Sequence, residues 1–152
     1  QASCHFLGLQ VADAEAFSAL EVGTPYESVG AVYPALLDSR PGSILAHICR
    51  ADFLDIGTPI DYLRTSLLVA HREGGASLRG ARVHCDPTAR VEASILWDDV
   101  HVGAGSRLLR CIVTDGSRVP EDTSWTDMTL RPAIGELTPS ERRVGDLAVA
   151  AI

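Results

Sequence analysis

The back half of the chain repeats every seventeen residues, and that spacing limits the folds open to it. Set in rows it runs CDPTARVEASILWDDVH (Cys85 to His101), VGAGSRLLRCIVTDGSR (Val102 to Arg118) and VPEDTSWTDMTLRPAIG (Val119 to Gly135). Cys85, Val102 and Val119 share one column. Ala89, Ser106 and Thr123 share a column of small residues, and Val91, Leu108 and Trp125 a third. Ile95 aligns with Ile112, and Asp98 with Asp115. Apolar residues six apart, such as Val102 and Leu108, imply three short flat strands per coil, stacked into a triangular prism. Three equal sides would need about eighteen residues, so seventeen implies one shorter corner. We expect it at WDDVH and TDGSR, with the shared columns pointing inward. A single coil cannot bury its own inner face, so several must stack.

Ahead of Glu73-Gly74-Gly75, strand and helix patterns alternate. HFLGLQV (His5 to Val11) suits a short buried strand. Asp13 is placed to cap a helix over Ala14 to Leu20. Glu27 to Leu37 has apolar residues at helical spacing, with Pro34 expected to break or kink it. SILAHICR (Ser43 to Arg50) reads as a strand beside the short run ending at Leu54. Thr58-Pro59-Ile60-Asp61 is a strong helix start: Thr caps, Pro takes the first helical position, and Asp meets the positive end of the dipole. That helix should run from Pro59 to about Glu73 and end at the glycines. These front elements leave apolar sheet edges that need neighbours. After Gly135, Thr138, Pro139 and Glu141 supply cap, first position and capping-box acid for one more helix.

Thirteen basic residues against twenty acidic ones give a net charge of -7, which opposes nucleic acid or anionic membrane as a main partner. All thirteen are arginine, so chemistry that needs a lysine cannot come from these residues. Cys4, Cys49, Cys85 and Cys111 show no CxxC spacing and read as reduced core thiols in a cytoplasmic protein. The stretch QASCHFLGLQV lacks the basic region and long apolar core of a secretory signal. No apolar run approaches membrane-spanning length.

FLDIGTPIDYL (Phe53 to Leu63) carries the most specific chemistry. Together with FLGLQV, YESVGAVYPALL and the trailing repeats ILWDDVHVGAG and CIVTDGSRVPEDT, it resembles sugar-phosphate nucleotidyltransferases. The likeness is closest to NDP-sugar synthases of the mannose-1-phosphate guanylyltransferase type, and it covers residues 1 to about 131. In that family a W-x-D-I-G-T-P-x-x-Y-L motif precedes a left-handed parallel β-helix of hexapeptide repeats; here Phe53 replaces the usual Trp. The resemblance implies three parts. Residues 1–75 would be the end of a Rossmann-like α/β catalytic domain, 76–135 a left-handed β-helix, and 136–152 a helical tail.

It further implies that Asp55 is one of two aspartates holding Mg²⁺, an oxygen-preferring cation suited to a carboxylate at a strand end. Gly57 would let the backbone turn close to the site, and Gly8 would line the sugar pocket. The substrates would be a sugar 1-phosphate and a nucleoside triphosphate, in a homo-oligomer. The family's Gly-rich nucleotide loop, its lysines and its first metal aspartate have no counterpart here. The expectation is therefore a C-terminal piece, inactive by itself.

Plainer roles compete at each position. Asp55 also suits a turn aspartate bonding backbone N–H groups, and Gly8 a close strand contact. His84 and His101 share a column with Arg118; they read as surface residues, or as the base of a hexapeptide acyltransferase. Trp97 and Trp125 are expected to cover a corner and the end of the prism, and WDDV to be a solvated corner. Read by itself, the chain could also be a structural, oligomerising module.

Overall fold

A computed structural model describes residues 4, 6–74 and 78–152. His5, at the start of the expected first strand, and Gly75, the second of the expected helix-ending glycines, lie outside them. The chain divides into two compact units, Gln1–Phe53 and Leu54–Ile152.

The first unit is irregular. Asp13 caps as expected, its Oδ1 accepting the Glu15 N–H at 3.1 Å, but the result is a single 3-10 turn, Ala14–Phe17. Glu27 to Leu37 divides into a π-helical turn, Ser28–Val32, and α1, Tyr33–Ser39. Pro34 sits in the first turn of α1, where its missing N–H costs nothing, so the break falls upstream of it. The strands expected at His5–Val11, at Ser43–Arg50 and before Leu54 are not formed among the described residues. A strand needs a neighbour for its N–H and C=O groups. Leu9, Val11, Leu45 and Ile48 are correspondingly exposed. A Rossmann-like fragment is thus not formed by these residues.

The second unit opens with α2, Pro59–Arg72, capped by Thr58, whose hydroxyl accepts the Asp61 N–H. A three-sided parallel β-helix follows. Its first side stacks β1 (His84–Cys85), β4 (His101–Val102) and β7 (Arg118–Val119). The second stacks β2 (Arg90–Glu92), β5 (Arg107–Leu109) and β8 (Ser124–Thr126), and the third β3 (Ile95–Leu96), β6 (Ile112–Val113) and β9 (Met128–Pro132). Every pair of register partners, from His84 with His101 to Val113 with Leu130, is seventeen residues apart. Leu96, Val102, Leu108, Val113, Val119 and Leu130 fill the interior with Trp125.

Two expectations change here. The short corner is not at WDDVH. Inward residues Val91 and Leu96 are five apart, whereas Cys85 to Val91 and Leu96 to Val102 span six, so it lies at Ala93-Ser94 and Arg110-Cys111. The Ile95/Ile112 column points outward: both side chains pack with Leu63 of α2, alongside Tyr62 and Leu67. A helix covering that side turns the alternating pattern into a double apolar one.

Left-handed backbone residues turn the corners in three columns. One column is Arg82, Asp99 and Gly116, another Ala93, Arg110 and Asp127, and the third includes Gly105 and Asp122. The conformation is unfavourable for residues with a Cβ. In two columns the stacked corner residues are joined by paired Arg–carboxylate bonds. Arg82 grips Asp99 at 2.6 and 2.7 Å, and Arg110 grips Asp127 at 2.6 and 2.5 Å. Both carboxyls are held below their usual range by the guanidinium hydrogen bonds. Exposed ion pairs add little stability, but the forked geometry favours one register. In a further column, Asp98 accepts the Ala81 N–H and Asp115 the Asp98 N–H, both at 2.8 Å. The aspartates of WDDV are thus bonded coil to coil.

Between stacked coils there is no room for a side chain at Gly103. A Cβ there would fall 2.7 Å from the Glu121 nitrogen and 3.0 Å from the Pro120 carbonyl carbon. Gly103→Ala should therefore cost about 1–3 kcal/mol in denaturant unfolding. Gly116→Asp should cost about 1–2 kcal/mol: that corner has open space, but its backbone is left-handed at φ 68 and strains a residue with a Cβ.

The tail is not a helix. It forms β10 (Arg142–Val144) and β11 (Leu147–Ala151), a hairpin added antiparallel to β9. The capping-box bond is present, Thr138 N–H to Glu141 Oε2 at 2.7 Å. The same carboxylate, however, takes both arms of Arg131 on β9, at 2.6 and 2.7 Å. Gly145, at φ 59, makes the two-residue hairpin turn with Asp146, as Gly at the first turn position favours.

The Arg131 hydrogen bonds, aided by the Thr138 N–H, lower the Glu141 carboxyl from 4.5 to about 2. A depressed carboxyl stabilises the fold above its unfolded value and loses that contribution as pH falls through the folded one. Wild-type melting temperature should therefore drop between pH 4.5 and about 2, and Glu141→Gln should flatten that part of the profile.

Cys111 is buried in the prism and Cys85 half-buried, but Cys4 and Cys49 are exposed, unlike the core thiols expected. Burial pushes the Cys111 thiol up. Among the described residues no helix is long and apolar enough to cross a membrane.

Candidate metal-binding turn

Asp55 lies in an exposed turn just before α2. Its Oδ1 accepts the N–H groups of Ile56 at 2.8 Å and Gly57 at 3.1 Å. The turn role read from the residues is therefore present. It does not exclude a ligand role, because Oδ2 stands outside both bonds. The Asp55 carbonyl accepts a hydrogen bond from the Thr65 hydroxyl at 2.9 Å. Immediately downstream, the Thr58 hydroxyl donates to Asp61 Oδ2 at 2.6 Å, completing the helix start.

Gly57 stands against this carboxylate: a Cβ there would lie 3.4 Å from Asp55 Oδ1. That is an ordinary contact distance, and the backbone of Gly57 is not left-handed, so neither crowding nor φ demands a glycine there. Gly8 differs. It has φ 79 with open space where a Cβ would be, so its glycine character serves the backbone and not a close strand contact. It belongs to the other compact unit.

Asp55 fits a Mg²⁺ site as one ligand, being a hard, exposed carboxylate with an oxygen to offer. Mg²⁺ needs six oxygens in near-octahedral order, and among the described residues no group of three or more His, Cys, Asp or Glu could hold a metal. The remaining ligands would have to come from substrate, water or other residues.

The histidines are outward-facing register partners on β1 and β4. Their rings stack with centroids 5.0 Å apart and planes at 27°. Asp99, beside His101, is already held by Arg82. Trp97 meets Tyr62 of α2 edge-on at 6.5 Å. Trp125 is buried in the last coil, with the Arg142 guanidinium 6.0 Å from its ring. The residue that sequence reasoning missed is Thr65. A threonine at mid-helix carries no distinctive signal, and its partner ten residues upstream is visible only once the turn has folded back.

No curated protein sequence matches the chain. Residues 66–125, less than half of it, match the family described as GlmU-like, C-terminal hexapeptide. The matched stretch runs from within α2 to β8, so the coils of this chain are a hexapeptide-repeat region similar to that family's.

Proposed function

We propose that the chain is the C-terminal portion of a sugar-1-phosphate nucleotidyltransferase of the GDP-mannose-forming type, with Asp55 as one Mg²⁺ ligand. The observation that carries this reading is the placement of the D-I-G-T-P turn at the head of a helix packed on a hexapeptide-repeat β-helix. In the reaction, a sugar phosphate oxygen attacks the α-phosphorus of the triphosphate in line. The new P–O bond forms as the bond to pyrophosphate breaks. Two polyanions must meet, so the barrier is one of charge and orientation. Bound Mg²⁺ would neutralise part of that charge.

The chain's own contribution is a carboxylate held in place by the Ile56 and Gly57 N–H groups. Residues 1–53 supply apolar segments that need strand neighbours, consistent with a larger sheet in the whole protein. Self-association into a homo-oligomer is part of this proposal. β7 and β8 end their sheets and leave edges able to pair.

The test is release of pyrophosphate by the full-length protein from mannose 1-phosphate or glucose 1-phosphate with each of the four nucleoside triphosphates. Mg²⁺-dependent release with one pair supports the reading. No release with any pair, together with acetyl transfer from acetyl-CoA that is lost in His84→Ala or His101→Ala, would favour the acyltransferase reading.

A further inference from the structure

We propose that Thr65 is the positioning residue for Asp55, tying the turn that presents the carboxylate to a helix braced by the β-helix. This rests on the reading of Asp55 as a Mg²⁺ ligand. A threonine hydroxyl inside a helix ordinarily bonds a carbonyl three or four residues back in the same helix. Thr65 instead donates to the Asp55 carbonyl, ten residues upstream, at 2.9 Å. Threonine is also a modest helix former, so local helix stability gives no reason for it at this position.

The tie is anchored at its far end. Two residues before Thr65, Leu63 is buried against Ile95 and Ile112 on the third side of the β-helix. Two backbone N–H groups fix Oδ1 from one direction, and Thr65 fixes the main chain of the same residue from the other. Between them they determine where Oδ2 points. The β-helix thereby helps to hold a metal ligand as well as to stack.

Groups that orient a metal ligand typically set affinity by 10–100-fold. In the full-length protein, Thr65→Val should raise the Mg²⁺ concentration for half-maximal pyrophosphate release by roughly 10-fold. Thr65→Ser, which keeps the hydroxyl, should return it to near wild type. In the same variants without Mg²⁺, hydrogen exchange at the Ile56 and Gly57 amides should quicken several-fold with Val and recover with Ser.

Both effects must appear together. Unchanged exchange in Thr65→Val overturns the proposal, and so does faster exchange with an unaltered Mg²⁺ requirement. If the wild type releases no pyrophosphate, the proposed reaction is what fails. The exchange measurement then upholds or rejects the hold of Thr65 on the turn.

Discussion

Replacing Asp55 with asparagine should lower Mg²⁺-dependent turnover of the full-length protein by on the order of 100-fold, as loss of a group that stabilises transferring charge typically does. The choice of asparagine separates the two roles of this residue. Its amide oxygen can still accept the Ile56 and Gly57 N–H groups, which at 2.8 and 3.1 Å define the turn, because asparagine makes the same turn as aspartate. What it removes is the negative charge a cation requires. Asp55→Ala should be equally inactive, with only a small loss of stability, since water can reach the exposed N–H groups it frees. If Asp55→Asn turns over at near the wild-type rate while Asp55→Ala unfolds earlier, the residue is a turn-maker and nothing more. Melting curves beside the kinetics make that distinction.

The second large effect lies in the prism. Leu108 and Leu109 are neighbours on β5, yet they should respond differently. Leu108 is fully buried among the inward residues, between its register partners Val91 and Trp125. Leu109 faces outward between Glu92 and Thr126. Truncating a leucine in a closed core removes its burial and leaves a cavity, costing about 2–5 kcal/mol. The stack limits relaxation, because each inward layer rests on coils above and below. Leu108→Ala should therefore cost about 3 kcal/mol in urea unfolding, and Leu109→Ala about 1 kcal/mol or less. Equal losses at the two positions would contradict the inward and outward assignment.

How far the fold could be read from the sequence depended on where each signal was local. The columns Cys85/Val102/Val119 and Val91/Leu108/Trp125 are period and polarity together, and they gave the coils directly. The start of α2 at Thr58-Pro59 was equally legible, because capping is decided within four residues. Ile95 and Ile112 were misplaced because their neighbour, Leu63, lies outside the repeat. The alignment showed a column without its direction. The left-handed corners were invisible because Arg82, Ala93, Asp99, Arg110, Asp122 and Asp127 are not the glycines that usually mark such turns.

The tail shows the same limit. Thr138 and Glu141 do form a capping bond, but the open edge of β9 and the turn at Gly145 draw the following residues into strands. The segments at 6–11, 43–50 and the run before Leu54 failed as strands for the reason strands generally do, namely that pairing comes from elsewhere in a protein. At the site, Asp55 and Gly57 came from motif resemblance. Their contact with each other could be anticipated from their spacing, but the support from Thr65 could not.

The most direct measurement is a crystal structure of the full-length protein grown with Mn²⁺ and its nucleoside triphosphate, with the metal located by anomalous scattering. A peak within about 2.3 Å of an Asp55 carboxylate oxygen is the predicted result. A metal bound to the triphosphate with Asp55 turned away from it, or held by residues that do not include Asp55, would contradict the account.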